Sequence, residues 1–339
     1  MTATSGAARK RPLAAATIGV FDGVHRGHQA LLARVVAAAR RIGGQAVVVT
    51  FHRHPLAVLA PERCPPAVIG PEERAALLKS YGIDAVIALE FDAAVAGLSA
   101  REFLEQVLAS RYNLKVLVIG PDFAMGRGRA GDARALSELG QEVGFTVEIV
   151  SPVAGQAGER ISSTQLRNAI RAGDLAAARE QLGRDLEIRG RVVSGAGRGR
   201  GLGAPTANLE VDSTRLLPAD GVYAALVRVE APGKAPAPEE RPAVVNIGLA
   251  PTFGGNERRV EVHLLDLDQD LRDWMLAVRL VARLRGEQRF PDAAALKAQI
   301  AADVARARVL IAARLAEETR PEGAPGPPRA AEVGPDGRA

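Results

Sequence analysis

The periodicity of the chain changes near Arg184, and that change limits the folds open to it. Upstream, short apolar runs alternate with longer amphipathic ones. Leu13–Val20, Gln45–Phe51, Ala85–Phe91, Lys115–Gly120 and Phe145–Val150 read as strands. His28–Ile42, Pro71–Tyr81, a Ser99-capped stretch to Ala109 and Asp132–Val143 read as helices, and two more begin at Ser162/Ser163 and at Asp174. Strands that alternate with helices predict a parallel sheet covered on both faces, with ligands at the carboxyl ends of its strands. Downstream, Ile188–Val193, Tyr223–Val229, Ala243–Ile247, Arg259–Leu265 and Leu276–Leu284 follow one another with Gly/Pro punctuation and no helix between them. That pattern predicts an antiparallel sheet or small barrel. A long amphipathic helix from Phe290 to about Glu318 closes the folded chain. The expected domains are 13–183 and 187–312, with disordered tails at 1–12 and 319–339, the second rich in Pro, Gly and charge.

Composition narrows the function classes. The length of 339 residues suits two domains, and no run of 18 or more uninterrupted apolar residues suggests a membrane span. The apolar stretch after Arg9-Lys10-Arg11 is only strand length and meets Asp22 at once, which fits a signal peptide poorly. The single cysteine, Cys64, excludes an intrachain disulfide and a zinc site built on several thiolates, so a cytoplasmic home is expected. The net charge is +5 and only five of the cations are lysines. Arginine forks suit phosphates, but these arginines are scattered, so neither nucleic acid nor membrane is expected as a partner. Small-molecule substrates are expected, and oligomeric state is not legible.

Three segments of the first half converge on the sheet edge. Strand one runs into Gly19-Val-Phe-Asp-Gly-Val-His-Arg-Gly-His28 and a helix, which puts His25 and His28 on one face beside free N–H groups and the positive end of the helix dipole. Gly23 and Gly27 let backbone come close to a ligand. A surface turn with incidental histidines, or a metal site lacking a third ligand, are the alternatives. In Ile161-Ser-Ser-Thr-Gln-Leu-Arg167 a serine caps a helix and Arg167 falls one turn on from Ser163 and Thr164, so hydroxyls, amides and a guanidinium can meet a phosphate. A capped helix with a surface arginine reads equally well. Gly120–Gly131 follows strand four and offers Asp122 as acceptor and Phe123 as stacking face, or is simply a flexible loop.

The second half has its own centre. Five glycines lie between 195 and 203, before Pro205, Thr206 and Asn208. Such a loop can wrap phosphate, although it lacks the ending of a P-loop, and a solvated basic linker is the alternative. Thr206 and Asn208 point to one side of an extended segment, where hard oxygens can hold Mg²⁺ with nucleotide phosphates. In Val260-Glu-Val-His-Leu-Leu-Asp266, Glu261 and His263 share one strand face. A carboxylate on a strand built for burial needs a role or an arginine partner.

In this order the motifs resemble a known family. Gly-x-Phe-Asp-Gly-x-His-x-Gly-His, Thr50-Phe-His-Arg-His-Pro55, Gly120–Gly131 and Ile-Ser-Ser-Thr-x-x-Arg look like the FMN adenylyltransferase half of the bacterial bifunctional FAD synthetases, in the nucleotidyltransferase superfamily. Gly-x-Pro-Thr-Ala-Asn, Asn246-Ile-Gly-x-x-Pro-Thr-Phe253 and Val-Glu-Val-His-Leu-Leu-Asp look like riboflavin kinase. The resemblance implies a Rossmann-like α/β nucleotidyltransferase domain followed by a small antiparallel riboflavin kinase barrel with a C-terminal helix. It implies that riboflavin is phosphorylated to FMN and FMN adenylylated to FAD, both with ATP and Mg²⁺. On it, His25, His28 and Arg167 are catalytic in the first half. Phe21, Asp22, Gly23, Gly27, Ser163 and Thr164 bind ATP there, and His54, Pro55, Asp122, Phe123 and Gly126 line the flavin. In the second half Glu261 is the general base, Gly201, Gly203 and Pro205 bind ATP, and Thr206 and Asn208 position the metal. Departures are His52/Arg53 before His54, Met125 for phenylalanine, Asp185-Leu186 for Pro-Tyr, and Arg272-Asp273 for Tyr-Gly. The rival readings are a one-activity enzyme with a decayed domain and a flavin-binding regulator without catalysis.

Overall fold

The computed structural model describes residues 11–156, 158–194, 205–233, 239–252, 255–267 and 269–319. Five parallel strands form the first sheet: β1 (Leu13–Ile18), β2 (Gln45–Phe51), β3 (Ala85–Leu89), β4 (Asn113–Ile119) and β5 (Thr146–Ile149), in the order β3-β2-β1-β4-β5. The central β1 is buried almost throughout. Its alanines alternate between two cores, Ala15 with Leu32, Val35 and Ala38 of helix α1 (Arg26–Ile42) on one face, and Ala14 and Ala16 with Leu108 and Leu136 on the other. Burial on both faces is why this strand reads as continuous apolar sequence. The longer helices of this half also include α2 (Pro71–Ser80), α3 (Ala133–Val143), α4 (Ser163–Ala172) and α5 (Leu175–Leu182). The Ser99-capped helix stops at Phe103 and continues as a π-helical turn, Leu104–Ala109. Gly120–Gly131 carries one side of a two-residue ribbon that pairs Ala124–Met125 to Gly131–Asp132.

Six antiparallel strands form a closed barrel: β6 (Leu186–Val193), β7 (Ala207–Glu210), β8 (Gly221–Glu230), β9 (Glu240–Thr252), β10 (Gly255–Leu264) and β11 (Met275–Arg285). Closure removes the sheet edges. Tyr223, Ala225 and Val227 of β8 face the barrel core, while Val222, Ala224 and Leu226 meet Ala307 and Ile311 of helix α6 (Ala293–Glu318). The long helix thus buries the outer face of β8. It starts at Ala293 behind an Asp292 cap, three residues after the expected Phe290. Arg11 and Pro12 lie against the first sheet, where the Asn113 amide donates to the Pro12 carbonyl. Residues 1–10 and 320–339 of the expected tails lie outside the described residues.

Two departures from the family pattern have physical explanations here. Asp273 sits at φ 67, a left-handed conformation that the family's glycine adopts freely and that aspartate tolerates better than most residues. Asp185, 1% exposed, replaces proline and receives Arg179, Arg279 at 2.9 Å and Arg314 at 3.2 Å. It ties α5, β11 and α6 together. Removing one partner of a buried ion pair costs roughly 3–5 kcal/mol. These arginines keep 16–29% exposure, so solvent takes up part of the loss. Asp185→Ala is therefore expected to lower unfolding free energy by about 2 kcal/mol. Urea titration checks this, and an unchanged midpoint would make the cluster energetically idle.

Candidate active sites at the sheet edge and the barrel mouth

The carboxyl ends of β1, β2 and β4 deliver the segments 19–28, 52–55 and 120–131 to one edge of the parallel sheet. At its centre the turn Phe21–Val24 is tightly wound, with Phe21 at φ 53, Gly23 at φ 75 and Val24 at φ 42. A side chain at Gly23 would strike Leu166 of α4 at 2.7 Å, so the glycine permits both the conformation and the close approach of α4. His25 caps α1: its Nδ1 accepts from the His28 amide at 3.3 Å. The hydrogen of neutral His25 therefore sits on Nε2, where it can be donated. The His25 and His28 rings stack at 3.7 Å between centroids, and Phe21 leans on His28 at 5.0 Å. His28 is half-buried overall, but its Nδ1 is enclosed and has no hydrogen-bond partner among the described residues. Burial, reinforced by the Arg167 charge, lowers the His25 pKa to about 4. Burial and then His25 push His28 well below the usual imidazole range. Both rings are neutral at neutral pH.

The second segment closes on the first. Ser162 caps α4 by accepting from the Gln165 amide at 3.3 Å, Ser163 is half-buried and Thr164 exposed. A side chain at Gly27 would come within 3.6 Å of the Ile161 carbonyl, so the starts of α1 and α4 are neighbours. Arg167 is not a surface arginine: it is buried and pairs with Asp22 at 2.7 Å. The Asp22 carboxylate also accepts from the Val68 and Ile69 amides at 2.8 and 3.2 Å. Asp22 is thus fully engaged in holding the turn, and Arg167 faces it with much of its charge compensated. Among the residues expected to line the flavin, His54 accepts from the Leu56 amide at 3.1 Å beside Pro55, and its pKa is lowered by burial and then by Arg167. Phe123 is half-buried, Gly126 packs on the backbone of Ser99–Ala100, and exposed Asp122 is paired with Arg160. The Asp122–Arg160 pair, which bridges the Gly120–Gly131 loop and the start of the serine turn, was not legible in the sequence. It joins residues 38 apart with no local pattern.

The barrel presents a different arrangement. Glu261 of β10 stands opposite Asn208 of β7 on one side and Asn246 of β9 on the other. Cross-strand partners share a face, so the three form one polar row. Val260 and Val262 point into the core, as their alternation requires. Glu261 is half-buried and has no ion-pair partner among the described residues. His263 Nδ1 lies 2.8 Å from the Pro205 carbonyl and, as donor to it, pins the chain entering β7. A cavity of about 280 Å³ opens there, lined by Ser194, Pro205, Thr206, Asn208, Asp270 and Arg272 among others. Thr206 is exposed at this mouth. Gly201 and Gly203 lie outside the described residues. Asn246 had no assigned part in the sequence reading; being the polar residue in the run Val244-Val-Asn-Ile247 was the available signal. A cavity of about 390 Å³ at the opposite, amino edge of the first sheet, lined by Tyr112, Asn113 and Phe145, touches none of these residues.

Known proteins share both halves. The profile described as FAD synthetase matches residues 8–165, and the one described as riboflavin kinase matches 182–311. A Pseudomonas fluorescens protein named bifunctional riboflavin kinase/FMN adenylyltransferase is 43% identical over 298 residues, 88% of this chain and 93% of that one. The chain belongs to the bifunctional riboflavin kinase/FMN adenylyltransferase family. An Escherichia coli K12 member of this family is 39% identical over 292 residues, 86% of this chain and 91% of its own. A Streptococcus pneumoniae crystal structure, described as a macrolide-efflux protein, has a TM-score of 0.77 at 33% identity, covering 89% of this chain and 95% of that one. That likeness shows that the two-part architecture of the family is shared. Among the described residues no helix is long and apolar enough to cross a membrane.

Proposed function

We propose that residues 187–312 phosphorylate riboflavin to FMN and residues 13–183 adenylylate that FMN to FAD, with ATP as donor in both steps. The observation that carries this reading is the pairing, in one chain, of a stacked histidine cradle at a sheet edge with a polar row on a barrel whose one carboxylate, Glu261, is half-buried and has no ion-pair partner among the described residues.

In the barrel, Glu261 accepts the proton of the ribityl 5′-hydroxyl as that oxygen attacks the γ-phosphorus, and ADP leaves. Thr206 and Asn208 offer neutral hard oxygens at the cavity mouth. That donor set suits Mg²⁺ arriving with the nucleotide, whose phosphates compensate its charge. Bound there, the ion supplies neutralisation of the phosphate oxygens. Pro205, held by His263, fixes the chain entering β7, and Gly201 and Gly203 before it are assigned to ATP.

At the sheet edge the FMN phosphate attacks the α-phosphorus of ATP and pyrophosphate departs, so no protein nucleophile is needed. His25 donates its Nε2–H to the departing oxygens, with His28, Ser163, Thr164 and the α1 amides completing the cradle. Asp22 and Arg167 hold the turn, and His54, Pro55, Asp122, Phe123 and Gly126 border the flavin. The single cysteine supports a cytoplasmic enzyme.

Incubating the pure protein with riboflavin and Mg·ATP tests the reading. FAD is the expected product by chromatography. FMN alone would reduce the chain to a kinase, and no product would make it a flavin-binding regulator.

A further inference from the structure

The turn before His25 is conformationally expensive. A β-branched residue such as Val24 strongly disfavours φ 42, and strained backbone persists only where its surroundings hold it. Asp22 and Arg167 hold one side of the turn. The other side is held from the junction between the two halves. Arg184, two residues before β6, donates Nη2 to the Gly23 carbonyl at 2.8 Å and Nη1 to the Val24 and Leu182 carbonyls at 3.3 Å each. Gln29 of α1 donates to the same Val24 and Leu182 carbonyls at 2.9 and 2.7 Å. The chain beyond β7 adds a second tie. The Ala67 amide donates to the Thr214 carbonyl at 2.9 Å, the Leu216 amide to the Ala67 carbonyl at 2.7 Å, and Arg215 grips both oxygens of Glu73. Ala67 precedes Val68 and Ile69, whose amides hold Asp22.

We infer that Arg184 is a positioning residue of the adenylyl-transfer site, borne by the junction with the barrel. The inference rests on reading the histidine cradle as that site. A guanidinium fork suits two adjacent carbonyls as no other side chain does. Its charge behind the Gly23 and Val24 peptides also polarises them, which strengthens hydrogen bonds made from their far side. Without it, Val24 relaxes toward φ below zero, and the His25 cap and the ring stack shift with it. A misplacement of about 1 Å costs on the order of 10²-fold in rate.

The test is steady-state kinetics of both reactions on full-length Arg184→Met and Arg184→Lys. Riboflavin phosphorylation, within about twofold of the parent, reports a folded chain. For Arg184→Met the KM for ATP in FMN adenylylation is expected to rise roughly 10-fold or more while kcat falls. Arg184→Lys keeps the charge but loses the fork and is expected to fall between. An unchanged KM, with kcat reduced only as far as the folded fraction drops, would overturn the inference by making Arg184 merely structural. If Arg184→Met lacks kinase activity, Arg184→Lys decides by the same criterion. Paired His25→Asn and His28→Asn changes separate the two failures. If they leave adenylylation intact, the cradle reading falls. If they abolish it while the Arg184 variants keep the parent KM, only this inference falls.

Discussion

Glu261→Gln is expected to suppress FMN formation from riboflavin by a factor on the order of 10²–10⁴, while FAD formation from added FMN proceeds at the parent rate. The exchange is nearly isosteric and sits on β10 between Asn208 and Asn246, so packing in the polar row is retained. What disappears is the capacity to take a proton. Glu261 has no ion pair among the described residues, so none of their guanidinium groups is orphaned and stability should be almost unchanged. Coupled assays of each half-reaction on the same preparation make the comparison. Kinase activity above about a tenth of the parent would remove Glu261 from proton transfer. Loss of both activities would argue against two separate sites.

What the sequence disclosed and what it withheld follow from the range of the interactions involved. Periodicity is local, so β2 and the alternation that puts Glu261 and His263 opposite Val260 and Val262 were legible from consecutive residues. The helix after Ser99 was legible in its cap but not in its π-helical turn, because one extra residue per turn leaves little mark on a short pattern. The cradle was legible as a constellation, yet the partnership of its two charged members was not. Asp22 and Arg167 are 145 positions apart, and nothing near either says that they neutralise each other. Arg184 reads as a linker residue until the fold brings Gly23 and Val24 against it. The Asp185 cluster is hidden for the same reason, since its three arginines come from α5, β11 and α6.

The combined change of His25→Asn and His28→Asn is expected to reduce FMN adenylylation by on the order of 10³-fold or more and to spare riboflavin phosphorylation. Asparagine at 25 keeps an acceptor for the α1 cap, so the loss reflects missing imidazoles and not a frayed helix. The low pKa values of these rings give the site a pH signature. His25 at about 4, against an ordinary 6.5, means that the folded chain binds fewer protons than the unfolded chain between those values. The contribution to stability is therefore full above pH 6.5 and is lost as pH falls toward 4. A bound triphosphate acts in the opposite direction, because its negative charge favours imidazolium. His28 is the acceptor to expect, since its Nδ1 has no partner among the described residues while that of His25 is occupied by the cap. ATP binding should then take up protons at any pH between the lowered free-state pKa of His28 and its higher bound-state one, and affinity should weaken as pH rises through the latter. Isothermal titration in buffers of different ionisation enthalpy measures the uptake directly. An ATP-binding enthalpy at the adenylylation site that is the same in every buffer would show that the rings stay neutral and act only as hydrogen-bond donors.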